Sequence, residues 1–470
     1  MTSTLWRHWY QAIAALRPAF ARQQTFLWFV VCVAGMSVRS DNLGVSSIVR
    51  ALALNGRCYS NLRRCYHSAG IKLPQLSALW TRLVLRLFGD QIERVNGRPV
   101  LLADGKKNAK AGKKMPAVKH LHQDSESNTK PAFIMGHSTQ AVSILARAAR
   151  TLFAVPLDLK IHEGLIFSNR DKRTLLDKLL GLVNNLKLDE PCYLVADAYY
   201  ASGKMVKGTL AQGHDLVTRA KSNCVAYRRA PLPRGKRAPG RPKRYGKKLK
   251  LAQLFRSTLK VTEIPSPVYD EKNIVLRVRC CDLLWRPAAR LVRFVLVEHP
   301  LRGRLILMCT DLSLEAAEII RLYGLRFKIE LGFKQAAQVL GTFDYHFWMK
   351  DMKPLQRRNG NQHLHRETEA YRQAVRTKMA AYHVFLFAGV VAQGLMHYLS
   401  SCHHEAVWRS FGSWLRTIRT GVAPTEMVVT MALRNTLPEF LLVCSPSHTM
   451  AKFIQQRQDR SRADFFRQAA

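Results

Sequence analysis

Two short apolar runs that each close on an aspartate constrain this chain most strongly: Pro99-Val100-Leu101-Leu102-Ala103-Asp104-Gly105 and Cys192-Tyr193-Leu194-Val195-Ala196-Asp197. Each is too short for a helix and too apolar for a surface loop, so each reads as a buried strand. The surrounding sequence agrees. Phe133 to Ala146 and Phe153 to Ile161 read as further strands, the first interrupted by His137 and Ser138, and His214 to Arg219 as another. Between them Lys172 to Leu186 is an amphipathic helix with leucines at 175, 176, 179, 182 and 186, and Ala198 to Gly203 leads into a second. Strands alternating with helices describe an α/β sheet. A lone strand-end aspartate is commonly a cap or turn residue; two of them, Asp104 and Asp197, also fit a site at the carboxyl edge of one sheet.

A third carboxylate stands in Arg321 to Lys334, Arg-Leu-Tyr-Gly-Leu-Arg-Phe-Lys-Ile-Glu-Leu-Gly-Phe-Lys. Read as a helix, with Gly324 a candidate break between two pieces, it buries Leu325, Ile329, Phe333, Ala336 and Leu340 on one stripe. A second stripe carries Arg326, Glu330 and Lys334 at four-residue spacing, with Tyr323 close to it. By itself that stripe is equally an ion ladder worth a few tenths of a kcal/mol per pair. Three carboxylates gathered together repel one another unless a cation joins them. Hard oxygen donors suit Mg²⁺ or Mn²⁺, and two such ions about 3.5 to 4 Å apart serve in-line phosphoryl displacement.

Charge supplies the substrate class. Among 470 residues, 74 Lys and Arg face 32 Asp and Glu, a net +42, which implies a polyanionic partner, nucleic acid before membrane surface. The cations cluster: Lys106, Lys107, Lys110, Lys113, Lys114 and Lys119 follow the first aspartate and read as a phosphate-tracking excursion. Pro231 to Lys250 holds nine Lys and Arg without an acid and reads as a basic loop. Within it Gly240-Arg241-Pro242-Lys243-Arg244 has the outline of an AT-hook, with a solvated loop the competing reading. Val45 to Leu54, Asn55-Gly56 and Tyr59 to Tyr66 outline a helix-turn-helix, an outline that any helical bundle also contains. Phe343 to Lys350 is an aromatic cluster, either packed core or a base-stacking surface.

Other classes are disfavoured. The ten cysteines form no Cys-x-x-Cys pair and read as reduced thiols; Cys402-His403-His404 lacks a second half at zinc spacing. Met1 to Phe20 lacks the pattern of a signal peptide. Ala380 to Leu399 has the length of a membrane span but contains His383, Gln393 and His397, and reads as a buried helix.

Taken together, Asp at a first strand, Asp-Ala-Tyr-Tyr at a later one, a strand-rich insertion, and Tyr-x-x-Arg-x-x-x-Glu on a helix closely resemble an insertion-sequence transposase of the DDE superfamily, in the group with a Tyr-Arg-Glu-Lys signature. The resemblance covers about residues 95 to 350. It implies an α/β, RNase H-like mixed sheet with flanking helices, interrupted by a strand-rich insertion, with helical N- and C-terminal regions. The expected organisation is a helical DNA-binding region at 1–95, the first part of the catalytic core at 96–220, the basic loop and insertion at 221–304, the last core strand and Glu-bearing helix at 305–352, and a helical, candidate dimerisation region at 353–470. On this pattern Asp104, Asp197 and Glu330 would be the catalytic metal ligands, for two Mg²⁺ or Mn²⁺ ions and no small-molecule cofactor. Tyr323 and Arg326 would hold phosphates, joined by Lys334, Lys106, Lys107, Arg241, Lys243 and Arg244. The signature's Lys falls at Ala337 here, and Lys334, one turn after Glu330, is its candidate substitute. The implied activity is cutting at the ends of a mobile element and joining them to target DNA, by a homodimer on double-stranded DNA in a bacterial cytoplasm, without a membrane. A transposase-derived regulator without catalysis and a metal nuclease without strand transfer are the alternatives.

Overall fold

A computed structural model describes residues 4–459 and 461, apart from 43, 124–130, 232–242, 413–417, 420 and 444–447. The chain opens with five helices, α1 (Thr4–Ala14), α2 (Gln23–Val38), α3 (Gly44–Ala51), α4 (Cys58–Tyr66) and α5 (Leu73–Phe88). Helix α2 is apolar all round and buried from Phe26 to Val38, as a helix enclosed by others must be. The expected helix pair α3–α4 packs on it so closely that a Cβ at Gly35 would stand 2.4 Å from the Ile48 side chain. Arg63 and Arg64 of α4 point outward.

The sheet follows. After β1 (Arg94–Val95) come β2 (Arg98–Ala109), β3 (Lys119–His122), β4 (Phe133–Ala148), β5 (Thr151–Ile161) and the two-residue β6 (Leu165–Ile166). Helix α6 (Leu175–Asn185), started by a capping box between Thr174 and Asp177, leads to β7 (Tyr193–Ala196), α7 (Gly203–Ala211) and β8 (Asp215–Arg219). Strand β4 pairs antiparallel with β2 and β5, whereas β7 runs parallel to β2 and to β8. The spatial order is therefore β5-β4-β2-β7-β8: three antiparallel strands, then two joined in parallel through helical crossovers. This is the mixed RNase H-like sheet that the resemblance implied.

Beyond β8 the sheet continues into the insertion: β9 (Val225–Arg229), β10 (Tyr245–Lys250), β11 (Thr262–Pro265), β12 (Val275–Trp285), β13 (Arg290–His299) and β14 (Gly303–Cys309). Strand β14 pairs with β8 and returns the chain to the core. One expectation needs correction here. Residues 245–250 were assigned to the basic loop but form a strand, because Tyr245, Lys248, Leu249 and Lys250 find backbone partners across the ladder to β9. Gly240, Arg241 and Pro242 of the AT-hook outline lie outside the described residues.

Helices α8 (Ala316–Leu325) and α9 (Phe327–Gln338) then cross the sheet, followed by the short β15 (Gln362–His363) and by α10 (Glu369–Cys402), α11 (His404–Phe411), α12 (Glu426–Val443) and α13 (Thr449–Gln455). Helix α10 is long and apolar enough to cross a membrane, yet 89% of its most apolar window is buried against β5, α2, α5 and α12. It is the spine that joins the N- and C-terminal helices to the sheet.

Candidate active site

The site grows from one register. The parallel ladder between β2 and β7 pairs Val100 with Tyr193 and ends at Ala103 opposite Ala196. Asp104 and Asp197 are the next residue of each chain segment, so they stand side by side where the ladder stops. Asp197 ends its strand as expected and caps the following turn, its Oδ1 accepting from the Tyr199 amide at 2.9 Å. Asp104 does not end its strand: β2 runs on to Ala109, because β4 supplies hydrogen-bonding partners as far as Gly136.

Helix α9 brings the third carboxylate. Its break falls at Arg326 rather than Gly324, and Arg326 closes α8 and opens α9 with helical dihedrals (φ −50°, ψ −35°). From that joint its guanidinium reaches across, Nη1 to Asp104 Oδ2 at 2.8 Å and Nη2 to Glu330 Oε1 at 2.6 Å. One cation thus bridges two carboxylates from different elements, and Asp197 is close enough to act electrostatically on both Asp104 and Glu330. The ion-ladder reading of this helix is half right: Arg326–Glu330 is an i,i+4 pair, but it has a third member from the sheet.

The electrostatics follow from crowding. Burial pushes the Asp104 carboxyl up; Arg326 opposes this, Asp197 and Glu330 add to it, and the group titrates at about 7. Asp197 is raised as well, first by burial, with the Tyr199 amide and Arg326 pulling the other way. Burial works against the charge on Arg326, but Asp104, Glu330 and Tyr323 outweigh it and hold the guanidinium above its ordinary range. Tyr323 is raised by burial, and its ring lies 5.9 Å from the guanidinium carbon.

The remaining sequence candidates separate. Lys106 and Lys107 each make a contact within the protein. Because β2 continues past Asp104, Lys106 faces α9, donating to the Phe333 carbonyl at 3.2 Å with its ammonium over the Phe333 and Phe343 rings, and Lys107 donates to the His122 carbonyl at 2.5 Å. Lys110, Lys114 and Lys119 are likewise bonded to Phe343, Lys350 and Glu163. Lys334 is exposed, one turn past Glu330. Lys243 is exposed on the insertion, Arg244 donates to the Ala289 carbonyl, and Arg241 lies outside the described residues. The aromatic cluster is mostly core: Phe343, Tyr345, Phe347 and Met349 are buried, with His346 and Trp348 turned outward.

Sequence reasoning missed the groups that hold the aspartates. Thr218 donates its hydroxyl to the Asp197 carbonyl at 2.6 Å, and Tyr200, buried beside Asp104 and Asp197, accepts from Gln140 at 2.8 Å. Tyr200 was visible in Asp-Ala-Tyr-Tyr, whereas Gln140 and Thr218 carry no local signal.

The donor set has the chemistry that a divalent cation takes, hard carboxylate oxygens in a partly buried place. In the arrangement described, no three His, Cys, Asp or Glu side chains among the described residues are gathered to share one ion, and the guanidinium stands between Asp104 and Glu330.

Residues 153–347 match the family model of the transposase DDE domain. The matched transposase segment contains Asp197, Tyr323, Arg326 and Glu330 and begins after Asp104, which joins it through the sheet. No curated protein matches the chain in sequence. Among solved structures the chain is similar to piggyBac transposase in a synaptic complex with hairpin DNA, seen by cryo-electron microscopy, at 10% identity and a TM-score of 0.35 over 93% of this chain and 75% of that one.

Proposed function

We propose that this chain is a DNA transposase that cuts at the ends of a mobile element and joins them to target DNA, with Asp104, Asp197 and Glu330 as the catalytic carboxylates. The observation that carries this reading is the placing of two acids at the end of one parallel ladder and of the third on α9, tied to Asp104 through Arg326. The transposase DDE match over two of the three supports it.

In this reading Asp104, Asp197 and Glu330 would hold two Mg²⁺ or Mn²⁺ ions. When bound, such ions stabilise the attacking and leaving oxygens of a phosphodiester. The protein's own part is to hold the carboxylates in place. Thr218 and the Tyr199 amide fix Asp197, the Gly105 amide donates to Asp104 at 2.7 Å, and α9 carries Glu330. Tyr323, Arg326 and Lys334 line the phosphate path, and Lys243 and Arg244 extend it over the insertion. The α3–α4 pair, with Arg63 and Arg64 outward, reads the element ends, and the enzyme works as a homodimer on double-stranded DNA in the bacterial cytoplasm.

Glu330→Gln keeps the shape of the side chain and removes its charge. The variant is expected to bind element-end DNA like the parent and to lose Mg²⁺-dependent strand cleavage; retained cleavage would sink the assignment. Whether a labelled end becomes covalently joined to a second duplex separates a transposase from a simple nuclease.

A further inference from the structure

Arg326 occupies the oxygens that a divalent cation would need. It bonds Oδ2 of Asp104 and Oε1 of Glu330 at once, with its own side chain only 19% exposed. A guanidinium is a single, spread-out charge, whereas Mg²⁺ or Mn²⁺ is a compact dication taking carboxylate oxygens at about 2.1 Å. A guanidinium seated on both carboxylates repels the dication and takes lone pairs that it would use, so the two compete. The bridge is lopsided: Asp104 is 13% exposed, but Glu330 is 41% exposed, so one end of it opens to solvent. Arg326 also stands at the joint between α8 and α9, so its side chain can turn without disturbing a helix interior. On leaving, it needs another anion, because burying it unpaired costs several kcal/mol. A DNA phosphate, which accepts both arms of a guanidinium fork, is the matching acceptor.

We propose that Arg326 is a resident counter-cation of the acid cluster, and that its transfer from Asp104 and Glu330 to a DNA phosphate couples DNA binding to uptake of divalent cation. This rests on the assignment of the three carboxylates made above. Without DNA the bridge competes with the ions; with DNA the competitor is drawn away. Coupling between two ligands is reciprocal, so the cation strengthens DNA binding by the same factor. An acid cluster that loads only on its substrate is protected from cutting other DNA.

The test uses the full-length protein and Mn²⁺, whose free fraction is read by electron paramagnetic resonance, with and without a short duplex. The Asp104→Asn protein with the same duplex serves as background. In the parent, duplex is expected to tighten Mn²⁺ binding about tenfold, within the usual range for coupled sites. Arg326→Gln is expected to bind Mn²⁺ about tenfold tighter than the parent without DNA, and to respond little when DNA is added. Arg326→Lys, whose single ammonium cannot fork to two carboxylates, falls between and serves if the Gln variant unfolds. Equal or weaker Mn²⁺ binding by a folded Arg326→Gln variant overturns the proposal, since Arg326 would then be organising the carboxylates rather than competing for them. If Asp104→Asn and Glu330→Gln both bind Mn²⁺ as the parent does, the ions lie elsewhere, and the assignment of the site falls with the inference.

Discussion

The Lys106 ammonium donates to the Phe333 carbonyl at 3.2 Å, so a lysine that composition assigns to DNA instead ties the sheet to the helix bearing Glu330. Lys106 lies two residues beyond Asp104 on the same strand face, and that face meets α9 twice, through Asp104–Arg326 and through Lys106–Phe333. The two contacts fix where Glu330 sits over the aspartates. Lys106→Met keeps most of the stem and removes the charge, the hydrogen bond and the attraction to the Phe333 and Phe343 rings. A charged hydrogen bond of this kind is worth about 1.5 to 3 kcal/mol. The variant is therefore expected to melt lower and to cleave DNA more slowly, while the salt dependence of its DNA binding stays that of the parent. A slope reduced by about one unit would return Lys106 to the phosphate-contacting set.

Asp197 is held from behind. Thr218, fully buried on β8, donates to its backbone carbonyl at 2.6 Å, an acceptor also used by the Tyr200 amide at 3.1 Å. Thr218→Val keeps the branched shape and deletes one donor, a loss of about 1 kcal/mol in stability. The larger effect is expected on turnover. A displaced carboxylate lowers kcat, by about tenfold, with little change in KM for DNA, and Thr218→Ser restores most of it. Undiminished kcat in the Val variant, with a loss in Ser, would mean that the methyl packing, not the hydroxyl, matters.

The sequence made the outline of this site legible for a physical reason. Strands buried on both faces are apolar, so Val100 to Ala103 and Tyr193 to Ala196 announce themselves, and a carboxylate closes each apolar run. The register that sets Asp104 beside Asp197 has no such local cause; it comes from the parallel ladder and the crossover through α6. The same limit misplaced the end of β2. Gly105 and the lysines after it read as a loop, but β4 pairs with them as far as Ala109, and the pairing decides the conformation. Helical spacing put Arg326 and Glu330 on one side of α9, but that Arg326 also reaches Asp104, far away in sequence, is a tertiary fact.

A buried pair supports α9 from the opposite side. Glu426 of α12 accepts from His397 of α10 at 2.8 Å and from Gln393 at 3.3 Å, and Gln393 also donates to the Gly332 carbonyl at 3.0 Å. The network joins two C-terminal helices to the turn of α9 that follows Glu330. His397 is 2% exposed and stacks on Phe153 with centroids 4.6 Å apart. Removing one member of a buried pair strands the other, at a cost of about 3 to 5 kcal/mol. Glu426→Ala is thus expected to lower the denaturant midpoint markedly, and the double variant with His397→Leu to recover part of the loss. Additive losses in the two single variants and the double would show that the pair is not coupled.

Acid sensitivity follows from histidines kept neutral inside the protein. Burial lowers His137 to about 3, with Lys110, His383 and His346 adding to the effect and the Pro116 carbonyl opposing it. Burial, together with Lys160, lowers His383 to about 4 against the Ile161 amide contact. Unfolded, both titrate near 6.5. Below that value the unfolded chain binds protons that the folded chain refuses, so the contribution of neutral His137 and His383 is fully present above about pH 6.5 and is lost progressively toward pH 4. Each histidine protonated only in the unfolded state steepens the decline by about 1.4 kcal/mol per pH unit. Urea midpoints measured from pH 7.5 to 5 are expected to fall, and His383→Gln, which cannot take up a proton, to fall less steeply. A parent midpoint unchanged across that range would mean that these rings already carry their protons in the folded protein.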